Sequence, residues 1–271
     1  MTVGVVETRP VTRTHQFRRL CLGAAVFLAV VVAVPPLSVL ARRYEFVEAF
    51  QFAAYAMGVP ALFVLGVPRA RLGSLSLPGE VRAREAARPD GSDGSPWRRP
   101  AIGQSALSLG LFMGAVVAWR TPLAVDAIEH HPWLLTAEAV SLVLASGVLW
   151  LELVQSQAPV PLCPRPLRAA VAATVAMWTV WTIAYLVGFS SSSWYPAFRH
   201  VAGHWPSLAA DQQFSTALLW LVATVTFMPV VFWNVLAWLR SDEQQDTGTY
   251  PHGTGSEHGP AISSRSAGLD L

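Results

Sequence analysis

Long apolar runs, each closed by polar or charged residues, recur from residue 20 to residue 239. About 20 helical residues cross the ~30 Å hydrocarbon core of a bilayer. Stretches of that order lie at 20–40, 45–67, 101–119, 133–154, 167–189 and 214–239. The short alternating segments of a transmembrane β-barrel are absent. The pattern predicts an all-α fold, a polytopic transmembrane helical bundle of about six spans. Pro35-Pro36 should bend the far end of the first span. The brief link at Arg42-Arg43 makes the first two spans antiparallel neighbours. The first run is too long for a cleaved signal segment and lacks a small-residue cleavage site. In the third span, Gly103, Ser105, Ser108, Gly110 and Gly114 are small enough to permit close helix approach in lipid.

The polar stretches divide the chain further. Residues 1–19 form a polar amino-terminal segment that frays, 20–240 the transmembrane domain, and 241–271 a disordered tail. Residues 69–100, rich in Arg, Gly, Ser and Pro, are expected to be a flexible, solvated connector. Residues 120–132 suggest a polar turn and 158–166 a Pro-rich loop. In the polar loop 190–213, Trp194, Tyr195 and Trp205 suggest an aromatic belt at the membrane surface.

Composition sharpens this picture. Hydrophobic residues make up 53% of the chain and charged residues 13%, too few to cover a soluble domain of 271 residues. All nineteen basic residues are arginine. Arg9, Arg13, Arg18, Arg19, seven arginines of the connector, Arg165, Arg168 and Arg240 fall on one side of a six-span arrangement. Arg42, Arg43, Arg120 and Arg199 fall on the other. The positive-inside rule then places both termini in the cytoplasm. Because the charges sit in loops and report topology, the bilayer is the first partner and nucleic acid is not one. Cys21 and Cys163 form neither a CxxC pair nor a Cys-rich metal site, and are expected to be inert thiols near the cytoplasmic surface.

This orientation gathers chemistry at the outer span ends. Glu48 and Gln51 enter the second span there, sharing a helix face with Phe52 and Tyr55. Arg120 and Asp126 follow the third span, His130-His131 precede the fourth, and Glu138 lies inside it. His200, His204, Asp211 and Gln212 lead into the sixth. Glu48 is either a carboxylate at the headgroup level or a buried functional acid. Glu138 is deeper, where it pairs with an arginine or hydrogen-bonds within the bundle. His200 and His204, four apart, suit either metal ligation on one helix face or plain solvation, and Asp211 can add an oxygen ligand or cap the sixth span. Glu48, Glu138, His200, His204 and Asp211 are the candidate metal ligands. No GxGxxG, P-loop, GxSxG or span-embedded haem-type histidine occurs, so no enzyme is expected and no cofactor is certain.

Three pieces of the chain resemble the multi-span CtaG-like family of bacterial cytochrome c oxidase assembly factors. Gln51, Pro60-Ala61-Leu62 and Leu65-Gly66-Val67-Pro68 resemble its second-motif helix. Trp119-Arg120-Thr121-Pro122 with Asp126, then Glu138 and 147–150, resembles its Trp-His-x-Pro helix end and the span that follows. Asp211-Gln212-Gln213 with Leu219-Trp220 resembles the signature opening its last motif span. At positions where the family carries histidines, this chain has Glu48, Phe52, Arg120, Leu135 and Ala139. The resemblance implies a multi-pass protein of the bacterial inner membrane that helps cytochrome c oxidase mature, with copper delivery to its subunits as the possible chemistry, since imidazole suits copper. The alternatives are a non-catalytic membrane scaffold without metal and, from the Pro-containing spans and intramembrane acids alone, a small-solute transporter.

Overall fold

The computed structural model describes residues 11–67, 101–155, 164–190, 194, 195, 198 and 207–248, and among these it contains helices and no strand. The first helix, α1, runs over Val11–Ala33. It begins well before residue 20 because polar residues such as Arg18 and Arg19 are good helix formers. Residues 11–19 are therefore helical. Pro35 and Pro36 cannot donate to the carbonyls four residues back, so α1 stops and a short α2, Leu37–Ala41, follows.

One span is then built from α3 (Glu45–Ala53), a π-helical turn (Ala54–Gly58) and α4 (Val59–Gly66). Within the turn, Val59 N–H bonds the carbonyl of Ala54, five residues back. Pro60 offers no N–H, and the hydrogen-bond ladder loosens just ahead of it.

The next helix, α5 (Ala101–Trp119), bends by 64° into α6 (Pro122–His130). The expected polar turn at 120–132 is thus mostly helix. Thr121 caps it by accepting the Ala124 N–H at 3.3 Å, and Pro122 sits at the first helical position, where its fixed φ favours the helix. Three long helices complete the bundle: α7 (Leu134–Gln155), α8 (Arg165–Gly188) and α9 (Leu208–Gly248). The last starts before residue 214 and continues past 240, so residues 241–248 are helical. Among the described residues, five helices are long and apolar enough to cross a membrane, and six if the bent α5–α6 pair is one span.

Helices in lipid associate by packing and polar contacts, because lipid tails are as apolar as the side chains. The core shows this. Trp150 stacks on Phe227 at 5.7 Å, Phe112 meets the same ring edge-on at 5.9 Å, and Ala173 and Ala176 let α8 lie close to its neighbours. Two glycines set helix spacing. A Cβ on Gly66 would stand 2.6 Å from Leu22 Cγ of α1, and one on Gly188 would stand 2.7 Å from Thr216 Cγ2 of α9. Gly110 and Gly114, expected to serve the same purpose in α5, face open space instead; the buried small residues there are Ser105 and Ser108. Antiparallel neighbours bring the starts of α3, α7 and α9 and the ends of α5 and α8 to one end of the bundle.

Candidate functional site

That end is held by polar contacts. Arg120 follows the last turn of α5, where its N–H still bonds Val116 O at 3.2 Å, so the bend into α6 throws its side chain inward. Its Nη1 donates to Glu48 Oε2 at 2.5 Å, with 1% of the arginine side chain and 16% of the glutamate side chain exposed. The guanidinium lies over the Phe52 ring at 4.5 Å and 5.8 Å from the centre of the Tyr195 ring. Tyr195 Oη in turn donates to the Arg120 carbonyl at 3.3 Å. Burial pushes the Tyr195 phenol up to about 12, against the pull of the Arg120 charge, so it remains a donor.

Two further buried acids, Glu45 and Glu138, lie within electrostatic reach of the same guanidinium. Glu45, Glu48 and Phe52 follow i, i+3, i+7 spacing and form one stripe of α3. Glu138 comes from α7. Among the described residues, Arg120 Nε and Nη2 and Glu45 Oε1 are buried without a hydrogen-bond partner.

Asp211 closes the same end differently. Its Oδ2 accepts Glu45 N–H and its Oδ1 accepts Phe46 N–H, both at 2.9 Å. It therefore caps α3 and not its own helix, where a carboxylate meets the positive end of the helix dipole. The cap on α9 is Ser207, whose Oγ accepts Ala210 N–H at 3.3 Å. Beside it, the Gln212 amide donates to the Val187 carbonyl at the end of α8. Gln51 Nε2 donates to Val32 O at 2.7 Å, the carbonyl that Pro36 leaves without a donor.

The other motif residues are structural in this arrangement. Trp119 Nε1 donates to Ser141 Oγ at 2.8 Å, joining α5 to α7. Pro60 is buried behind the π-helical turn, and Trp220 stacks on Trp181 at 5.0 Å. Asp126 lies on α6, where its carbonyl accepts from the exposed His130 at 2.8 Å. His131 is exposed too. His200 and His204 lie outside the described residues. Tyr195, expected in an interfacial belt, is instead 1% exposed and packed on Phe198 and Arg120. Glu45 escaped notice as a site residue, although an acid three positions before Glu48 shares its helix face.

The model of the cytochrome c oxidase caa3 assembly factor family matches residues 2–241. The chain belongs to that family. No curated protein and no solved structure matches it. It is accordingly a multi-pass membrane protein of an oxidase assembly family. Three of the positions at which the resemblance expects histidine, Glu48, Phe52 and Arg120, touch one another here. The described residues that meet here do not suit copper. A guanidinium fills their meeting point, both Asp211 oxygens are engaged by backbone N–H groups, and the donors are hard carboxylates where copper favours imidazole and sulfur. Among the described residues no three histidine, cysteine, aspartate or glutamate side chains gather as a metal site would need.

Proposed function

We propose that this caa3 assembly factor acts as a metal-independent, non-catalytic scaffold that binds membrane subunits of the oxidase during its maturation. The observation that carries this reading is the Arg120 guanidinium, seated against Glu48 where three motif positions converge. A cation built into the chain leaves that place to no metal. The arginine distribution supports a placement in the bacterial inner membrane with both termini cytoplasmic and the Arg120 end outside.

Complementation of a strain that lacks the factor tests the function. The wild-type chain and the His200→Ala/His204→Ala variant are expected to restore oxidase activity equally and to co-purify with oxidase subunits, while neither retains copper after dialysis. Stoichiometric copper that disappears with the two histidines would replace this reading by copper delivery through Glu48, Glu138, His200, His204 and Asp211. Labelling of a cysteine placed at Asp126 by a membrane-impermeant reagent, in intact cells, checks the orientation. Labelling only after the membrane is opened would reverse it.

A further inference from the structure

The surroundings of Arg120 have the make of a receptor for a planar cation. Glu48 of α3 bonds the guanidinium directly, and two more buried carboxylates, Glu45 of α3 and Glu138 of α7, lie within its electrostatic reach. Aromatic faces close two more sides, with Phe52 at 4.5 Å and Tyr195 at 5.8 Å. Ring faces attract cations through their quadrupole, and a weakly hydrated, flat guanidinium suits them better than a compact ammonium. The enclosure extends beyond the one ion pair. Among the described residues, Arg120 Nε and Nη2 and Glu45 Oε1 are buried with no hydrogen-bond partner, and Glu48 is the one acid bonded to the cation. A hard divalent ion is a poor occupant, since it requires several oxygens at about 2.0–2.6 Å, and no such group of ligands gathers among the described residues.

We infer that Glu45, Glu48, Glu138, Phe52 and Tyr195 form a guanidinium-binding site, which the chain fills with its own Arg120, and which takes a free alkylguanidinium ion when that side chain is removed. The site is independent of the scaffold reading. It stands or falls on the binding of a small cation, whatever the protein assembles.

The Arg120→Ala variant in detergent, titrated with methylguanidinium at low millimolar concentration, tests this. Its unfolding midpoint is expected to rise saturably, by several degrees, while equal concentrations of sodium or tetramethylammonium chloride leave it unmoved. The wild-type midpoint should not rise in any of the three salts. Adding Glu48→Gln to Arg120→Ala should weaken the apparent affinity at least tenfold. A folded Arg120→Ala protein that shows no saturable rise, or an equal rise with sodium, overturns the inference. If Arg120→Ala does not accumulate, Arg120→Gln is titrated in the same way. If neither accumulates, recovery of folded Arg120→Ala protein from cells grown with methylguanidinium supports the site, and no recovery overturns it.

Discussion

Two arginine–glutamate pairs tie helices together at opposite ends of the bundle. At one end Arg120 meets Glu48 at 2.5 Å, with the arginine side chain 1% exposed. At the other, Arg168 of α8 meets Glu152 of α7 at 3.5 Å, with both side chains exposed by slightly more than a tenth. Glu152 also accepts from Ser105 Oγ, so that pair is a three-helix clasp among α5, α7 and α8. The Arg120 pair sits among further acids and two aromatic faces, one of them the Tyr195 ring whose hydroxyl donates to the Arg120 carbonyl. The clasp secures helices through an arginine that keeps some exposure. The buried pair gathers more charge than securing helices requires, and that excess marks it as the site.

Removing one partner should separate the two ends most sharply. Arg120→Ala leaves Glu48 buried without its cation, which typically costs about 3–5 kcal/mol. Arg168→Ala leaves Glu152 still bonded to Ser105, so a smaller loss, about 1–3 kcal/mol, is expected. Unfolding in detergent titrated with denaturing surfactant measures both, and equal losses would erase the contrast.

Helix spacing gives the next largest effect. Gly66→Ala puts a methyl 2.6 Å from Leu22 Cγ and 2.9 Å from Leu22 N, so α1 must move; overpacking of this kind costs about 1–3 kcal/mol. Gly110→Ala meets nothing within 4 Å and should be neutral or slightly stabilising, since alanine is the better helix former. The same unfolding assay ranks them.

Asp211→Ala removes the cap from α3 and should cost about 1–2 kcal/mol, with faster hydrogen exchange confined to the Glu45 and Phe46 amides. Asp211→Asn keeps an acceptor for one of them and should lose about half as much. If exchange speeds up in the first turn of α9 instead, the capping assignment is wrong.

A further effect is a pH dependence confined to the Arg120 end. The Tyr195 phenol moves from its ordinary 10.0 to about 12 on folding, so the folded state favours the protonated form. Its contribution is therefore whole below pH 10 and is lost as pH rises through 12. Tyr195→Phe should flatten that part of the stability profile.

Much of this molecule was legible in the chain. Six apolar runs became five or six spanning helices, and the Pro60, Trp119–Pro122 and Asp211–Gln212 motifs led to the right family. Boundaries were less legible. Residues 11–19, 122–130 and 241–248 are helical because backbone hydrogen bonding continues through polar residues, which hydropathy cannot report. The candidate site was half legible: Glu48, Glu138, Arg120 and Asp211 do meet at one end, but Glu45 and Tyr195 join them and give the cluster a different chemistry.

The sequence alone determined the class of protein and the apolar runs that form its spans, because both depend on local hydropathy and the 3.6-residue period of a helix. Which acid holds Arg120, and which helix Asp211 caps, were decided only by tertiary structure. Those contacts join residues 72 and 166 positions apart. No local pattern encodes them, since they exist only once antiparallel helices have set the depth and rotation of every side chain against its neighbours.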